Sequence, residues 1–359
     1  MLKKFTVSNF KNFKDEISLD FSKIGEYSFN ADCLSMRLIY GRNATGKTNF
    51  GRALLDIKIL LYGMQSSGLI NEDGAAKFKY EFKFGNDEVV YKYSRFANTE
   101  LCDEELYING EAIFKFDFKN SKFDFQGLSI ISAKTVNTNR YLNKDEMDNE
   151  YVLPFLRWLI NNTAFSDDSV LIQLSKYVRK MCMITVGNDL LYSNRNFLEN
   201  LKNPVYLHNF EDFLNLMGIE CKLVLQELPD GQVELYFAHK KLVPFYSTAS
   251  SGTLALTSLY QKIVSNLSLI YLDDFAAFYH YEMAEKLISF IKNKYPECQF
   301  IMTSHNTNLM TNKIMRPDCL FILSSKGTLT ALCDATEREL REGHNLEKMY
   351  IRGEFGKYE

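Results

Sequence analysis

Arg37-Leu38-Ile39-Tyr40-Gly41-Arg42-Asn43-Ala44-Thr45-Gly46-Lys47-Thr48 decides the fold of this chain. It opens as a short apolar strand. G-x-x-x-x-G-K-T follows, and an amphipathic helix is expected from Asn49 to about Met64. The glycines let the backbone wrap closely around phosphates, and the loop with its helix N-terminus aims N–H groups at the anion. In such a P-loop, Lys47 reaches the β- and γ-phosphates and the Thr48 hydroxyl ligates Mg²⁺. A plain strand-to-helix turn is the competing reading. Strand, both glycines, Lys and Thr all in place argue against it.

Upstream, Phe5 to Phe10 alternates as a strand and Ile17 to Phe21 reads as a second one. Downstream, Gly68 to Gly74 reads as a loop. From Lys77 to Phe125 the period becomes two, with turns at Gly85-Asn86-Asp87 and Asn109-Gly110, which predicts an antiparallel sheet. Its aromatic stripes suit either base stacking or a half-buried sheet facing a core. The balance of interleaved lysines and acids favours the core. From Glu146 to about Met217 the pattern is helical, with Tyr151 to Ile160 carrying the single tryptophan, Trp158, and Val170 to Met183 amphipathic. Lys222 to Leu225 and Val233 to Phe237, bridged by Pro229-Asp230-Gly231, form a hairpin. The division expected is therefore residues 1–65 and 245–359 as two halves of one nucleotide-binding domain. Between them lie an antiparallel β subdomain at 66–130 and a mainly helical insertion with a β-hairpin at 131–244.

The second half resumes near Phe245. A helix is expected from Leu254 to about Asn266, a buried strand over Ser268 to Leu272, a helix from Tyr281 to Lys294 and a buried strand over Gln299 to Ser304. Near-continuous apolar strands alternating with helices predict a parallel sheet covered on both faces. Phosphate chemistry then belongs at the carboxyl ends of its strands.

Bulk composition narrows the classes. The chain has 359 residues, 46% hydrophobic and 24% charged, with 42 Lys plus Arg against 45 Asp plus Glu. A net charge of −3 is not that of a strongly basic nucleic-acid-binding chain, although a local basic patch stays open. Seven scattered cysteines without C-x-x-C spacing suggest no zinc site and fit reduced thiols in the cytosol. No apolar run approaches the roughly 18 residues of a membrane span. The N-terminus leads into an alternating strand and not a signal peptide, so a cytoplasmic location without membrane contact is expected.

Three more motifs join the P-loop. An apolar strand ends in Asp273-Asp274, more than 200 residues after it. In a P-loop ATPase the first acid holds Mg²⁺ and the next acidic residue orients the attacking water. Ser247-Thr248-Ala249-Ser250-Ser251-Gly252-Thr253 precedes a helix, and reads either as a second anion site or as a simple N-cap. Thr303-Ser304-His305 ends the next strand, where the histidine is structural, contacts the γ-phosphate or polarises water.

The order of P-loop, S-S-G-T, apolar-D-D and T-S-H resembles the ABC-type ATPases of the SMC/RecF class. Phe5-Thr6-Val7-Ser8-Asn9-Phe10-Lys11-Asn12-Phe13 is similar to the opening strand of that class. Asp274 to Glu282 and Leu340 to Phe355 resemble a bacterial anti-phage-defence subgroup, of the PARIS-like, Septu-like or retron-associated kind. The resemblance covers about residues 1–60 and 245–355 and says little about 66–245. It implies an α/β fold, an ABC-type P-loop NTPase head with a parallel-core sheet and an antiparallel β subdomain. It implies ATP and Mg²⁺, with two heads sandwiching two ATPs. Asn12, Gly41, Arg42, Asn43, Ala44, Thr45, Gly46, Lys47, Thr48 and Asn49 would bind nucleotide. Thr48 and Asp273 would hold the metal, and Asp274 and His305 would be catalytic. Ser250, Ser251, Gly252 and Thr253 would close on the ATP of the other subunit.

Two departures stand out. The family usually has Glu at the position of Asp274, so slow hydrolysis is expected, because positioning a water is sensitive to one methylene. Ala276 stands where related defence ATPases often carry Asp. The insertion lacks a long heptad pattern. With 54 residues after His305, the TOPRIM nuclease that overcoming-lysogenization-defect enzymes attach to a similar ATPase is not expected here. The function expected is a homo-oligomeric ATPase (a dimer or a multiple of dimers), sensor and scaffold for a separate effector such as a nuclease, with a phage-encoded trigger. The alternatives carried are a RecF-like DNA-repair ATPase binding DNA across a head dimer, a transporter subunit, and a chain in which ATP is structural only.

Overall fold

The computed structural model describes residues 1–30, 35–63, 74–96, 100–131, 136–142, 153–185, 195–229, 231–275, 277 and 279–359. Several positions read above lie outside these: Cys33, Met64, residues 68–73, 146–152, Asp230, Ala276 and Phe278.

A six-stranded sheet organises the chain, in the order Leu329–Ala331, Leu320–Leu323, Met36–Tyr40, Gln299–Ser304, Leu269–Asp273 and Met181–Thr185. All its pairings are parallel except that of the first two strands. Every residue of the P-loop strand Met36–Tyr40, the acidic strand Leu269–Asp273 and Gln299–Ser304 is buried, which is why they read as continuous apolar runs. Alternate residues serve two cores. Ile39, Tyr271 and Ile301 pack with Phe50, Ala53 and Leu54 of the P-loop helix and with the antiparallel sheet. Leu38, Ile270, Leu272, Phe300 and Met302 pack with Leu256 and Leu259 and with Leu287 and Ile291. Those four residues belong to the helices Ser251–Ile263 and Tyr281–Lys294. Both faces are thereby covered, and the carboxyl ends of the strands gather along one edge.

The second sheet is antiparallel, in the order Ile17–Asp20, Leu2–Ser8, Ala76–Phe84, Asp87–Phe96, Glu100–Ile108, Glu111–Asp117 and Lys122–Asp124. Phe78, Tyr80 and Phe82 are buried on one face while Lys77 and Lys83 are exposed on the other. The aromatic stripe is therefore core, not a surface for stacking bases. A third sheet joins Leu223–Glu227, Val233–Ala238 and Leu242–Pro244, so the expected hairpin gains a strand.

Three boundaries differ from the sequence reading. The first two strands belong to the antiparallel sheet, so a cut between 1–65 and 66–130 divides one sheet. Met181–Thr185 lies within the span read as a helical insertion, yet it pairs in parallel with Leu269–Asp273. The preceding helix stops at Arg179, and a short apolar run such as Met181 to Ile184 does not distinguish helix from strand by itself. Finally, the helix after the P-loop is not continuous. It runs Lys47–Leu54 and resumes as Asp56–Tyr62. The Tyr80 hydroxyl donates to Ala53 O at 2.9 Å and accepts from Ile57 N at 3.3 Å, occupying the place of one helical hydrogen bond, as an inserted side chain does at a kink.

Glu104 links the antiparallel sheet to the helix Phe155–Asn162. Its fully buried carboxylate accepts from Phe155 N at 2.6 Å, Leu156 N at 2.9 Å and the Tyr91 hydroxyl at 2.9 Å, supplying acceptors to a helix N-terminus. Burial raises its pKa to about 7 from 4.5, opposed by those three donors. The folded state then holds the proton more tightly than the unfolded state. This group's contribution to stability is full below pH 4.5 and is lost as pH rises to about 7. That loss is on the order of 3 kcal/mol. Glu104→Gln removes this titration, so urea midpoints measured from pH 4.5 to 7.5 should fall less steeply in the variant than in the wild type. Parallel curves would contradict the assignment.

Candidate active site

Gly41 to Gly46 leave the P-loop strand at the carboxyl edge of the sheet and turn into the helix Lys47–Leu54. The turn requires left-handed backbone at Ala44 (φ 65°) and Gly46 (φ 101°). At Gly46 a Cβ would collide with the Asn12 amide. Asn12 lies across the loop, donating to Thr45 O at 3.1 Å and accepting from Asn49 Nδ2 at 2.8 Å. Arg42, Asn43 and Ala44 are exposed, whereas Thr45 and Lys47 are buried. The Lys47 amine donates to Gly41 O at 2.7 Å and Arg42 O at 2.9 Å. Burial lowers its pKa, opposed by the charges of Asp274 and Asp273. A partly desolvated ammonium held by two carbonyls is well placed to transfer to phosphate oxygens.

The acidic strand is keyed to this loop. Tyr271 donates its hydroxyl to Lys47 O at 2.5 Å. A Cβ at Gly51 would collide with the Tyr271 ring, so glycine lets helix and strand approach closely. One register step on, Thr48 Oγ1 donates to Asp273 Oδ2 at 2.6 Å. The other Asp273 oxygen accepts from Thr303 Oγ1 at 3.0 Å. Asp274 then adopts left-handed backbone, φ 53°, and its carboxylate Oδ1 lies 2.9 Å from His305 Nδ1. Both side chains are about half exposed. The structure thus brings together Lys47, Thr48, Asp273, Asp274 and His305 from three strand ends.

A hydroxyl and a single carboxylate, already within hydrogen-bond distance of each other, suit Mg²⁺, which completes its octahedron with water and substrate phosphate. Among the described residues no group of three or more His, Cys, Asp or Glu forms a protein-only metal site, and a site of this kind does not require one. Thr48 and Asp273 therefore fit the ion.

Ser250 is the N-cap of the helix Ser251–Ile263, its Oγ accepting from Thr253 N at 3.2 Å and lying 2.9 Å from Thr253 Oγ1. The N-cap reading of this loop is the one the structure shows: a capped helix of 13 residues whose first turn includes Ser251 and Gly252. The C-terminal run also finds a place. Its helix Leu346–Ile351 is capped by Asn345, Tyr350 packs edge-on against Tyr40 at 4.7 Å, and Thr307 donates to Glu347 at 3.3 Å. Arg42 forms an ion pair with Glu359. The run therefore buttresses both the P-loop strand and the turn after His305. The sequence reading missed Thr303 and Tyr271 as parts of the site. Their signal was polar or hydroxyl-bearing residues inside otherwise apolar strands.

Fold and site define a P-loop nucleotide-binding domain. Residues 38–311 match the AAA_21 family, described as "AAA domain, putative AbiEii toxin, Type IV TA system", and the chain belongs to that family. No curated protein matches the chain. Among solved structures it is similar to the SMC head domain from Thermotoga maritima, with 15% identity, a TM-score of 0.46, and 92% of this chain and 98% of that one covered. It is also similar to an Smc head domain with an extended coiled coil bound to the C-terminal domain of ScpA, derived from Pyrococcus furiosus. There the identity is 14%, the TM-score 0.47 and the coverage 92% and 95%. Among the described residues no helix is long and apolar enough to cross a membrane.

Proposed function

We propose that this chain binds and slowly hydrolyses ATP between two copies of itself, and that the ATP-clamped assembly acts as sensor and scaffold for a separate effector in anti-phage defence. The observation that carries the enzymatic part is the convergence of Lys47, Thr48, Asp273, Asp274 and His305 on one sheet edge. The family description, with its toxin of a toxin–antitoxin system, and the resemblance of the C-terminal run support the biological part.

The residues divide the work as follows. P-loop N–H groups and Lys47 hold the phosphates. Thr48 and Asp273 would hold Mg²⁺, which when bound would neutralise phosphate charge. Asp274 accepts a hydrogen bond from the attacking water and orients it, and His305 keeps that carboxylate in place. The helix behind Ser250 offers its N-terminal N–H groups to the γ-phosphate held by the other copy. Asp274, one methylene shorter than Glu, reaches less far toward the phosphate, which supports slow turnover.

Phosphate release by the purified chain tests this reading. The wild type should release phosphate in the presence of Mg²⁺, and Lys47→Ala should lower the rate by about 10²-fold or more. Equal rates, or none in the wild type, would count against it. DNA added at low and high salt separates the RecF-like alternative, which requires salt-dependent DNA binding.

A further inference from the structure

Thr303 is fully buried in the strand Gln299–Ser304, one strand over from the acidic one. A threonine buried in a sheet ordinarily spends its hydroxyl on a nearby backbone carbonyl. Here the hydroxyl donates to Asp273 Oδ1 at 3.0 Å and accepts the Asp274 N–H at 2.8 Å. The Thr303 carbonyl accepts Phe275 N at 2.8 Å. One residue thus grips the chain at three successive positions, where the strand ends and Asp274 turns into left-handed backbone.

We propose that Thr303 is a positioning residue for both acids, a reading that rests on the proposed ATPase function. Its hydroxyl fixes the rotamer of Asp273, leaving Oδ2 for Thr48. By holding the Asp274 amide it also fixes a left-handed turn that aims the shorter Asp274 side chain at His305. Left-handed backbone is disfavoured for non-glycine residues, with Asp and Asn among those that tolerate it best. The turn therefore needs an external tie, and Thr303 supplies it. The arrangement accounts for why an aspartate at this position still lies 2.9 Å from the histidine.

Thr303→Val keeps the shape and removes the hydroxyl, and Thr303→Ser keeps the hydroxyl. Valine suits a buried strand, so both variants should fold. In Thr303→Val, kcat for ATP should fall about tenfold or more while KM for ATP stays within about threefold, because the tie acts on the acids and not on the P-loop. Mn²⁺ affinity in the presence of a non-hydrolysable ATP analogue, read by electron paramagnetic resonance, should weaken about tenfold. Hydrogen exchange in a peptide spanning residues 270–277 of the nucleotide-free chain should quicken. Thr303→Ser should restore all three. A valine variant with wild-type kcat and Mn²⁺ affinity overturns the inference, as does an equal loss in both variants, which would point to packing. If the wild type turned over no ATP, the proposed function would fall. Mn²⁺ affinity and hydrogen exchange would still decide the role of Thr303.

Discussion

Asp274→Asn should lower ATP turnover by about 10²–10⁴-fold, the range expected when a positioned acid–base group is removed, while leaving ATP binding nearly intact. Asparagine is among the residues most tolerant of left-handed backbone, so the φ of 53° at this position is preserved. Its side-chain oxygen can still meet His305 Nδ1, which lies 2.9 Å from the present carboxylate. What is lost is the negative charge that draws a proton from water. Because Lys47, Thr48 and Asp273 are untouched, the variant should accumulate in the ATP-bound state. Single-turnover phosphate release and equilibrium binding of a fluorescent ATP analogue measure the two halves of the claim. Unchanged turnover would remove Asp274 from the chemistry, and loss of binding would make it a structural residue.

Asp56→Ala should destabilise the chain by about 3–5 kcal/mol, the cost of breaking a buried ion pair from one side. Asp56 is 1% exposed and Arg95 2%. The Asp56 carboxylate pairs with Arg95 and accepts the Tyr93 hydroxyl at 2.8 Å. The pair joins the second helical segment after the P-loop to the antiparallel sheet, so the damage should reach the site through the helix that begins at Lys47. Burial raises the Asp56 pKa, opposed by Arg95 and Tyr93. The double substitution Asp56→Leu with Arg95→Met removes both charges and should recover most of the loss. Urea midpoints of the two variants decide it. A single variant as stable as the wild type would mean that the pair contributes nothing.

Much of the site was legible because its parts are short, local and chemically distinctive. The P-loop carries its own turn geometry, and Asp273, Asp274 and His305 follow apolar strands whose burial on both faces leaves an uninterrupted pattern. What stayed hidden is pairing across long separations. Nothing near Met181 to Thr185 tells that this run adds an edge to the parallel sheet beside Leu269–Asp273. The strand Glu100–Ile108 falls within the span read as antiparallel sheet, but nothing local tells that Glu104 is buried for a partner 51 residues away. The break after Leu54 is set by Tyr80, a residue of another sheet. In each case a tertiary contact overrides the local period.

The central claim is that each ATP site is built from two copies of the chain, and complementation between two inactive variants tests it most directly. Asp274→Asn lacks the water-orienting carboxylate beside its own P-loop. Ser250→Arg blocks the helix N-terminus offered to the other copy, at a capping cost of about 1 kcal/mol. Each variant alone should be nearly inactive. Mixed, they form assemblies in which the intact Asp274 beside the P-loop of one copy faces the intact Ser250 loop of the other. Phosphate release should then rise well above that of either variant. A mixture no more active than its components, or Ser250→Arg fully active alone, would contradict the account.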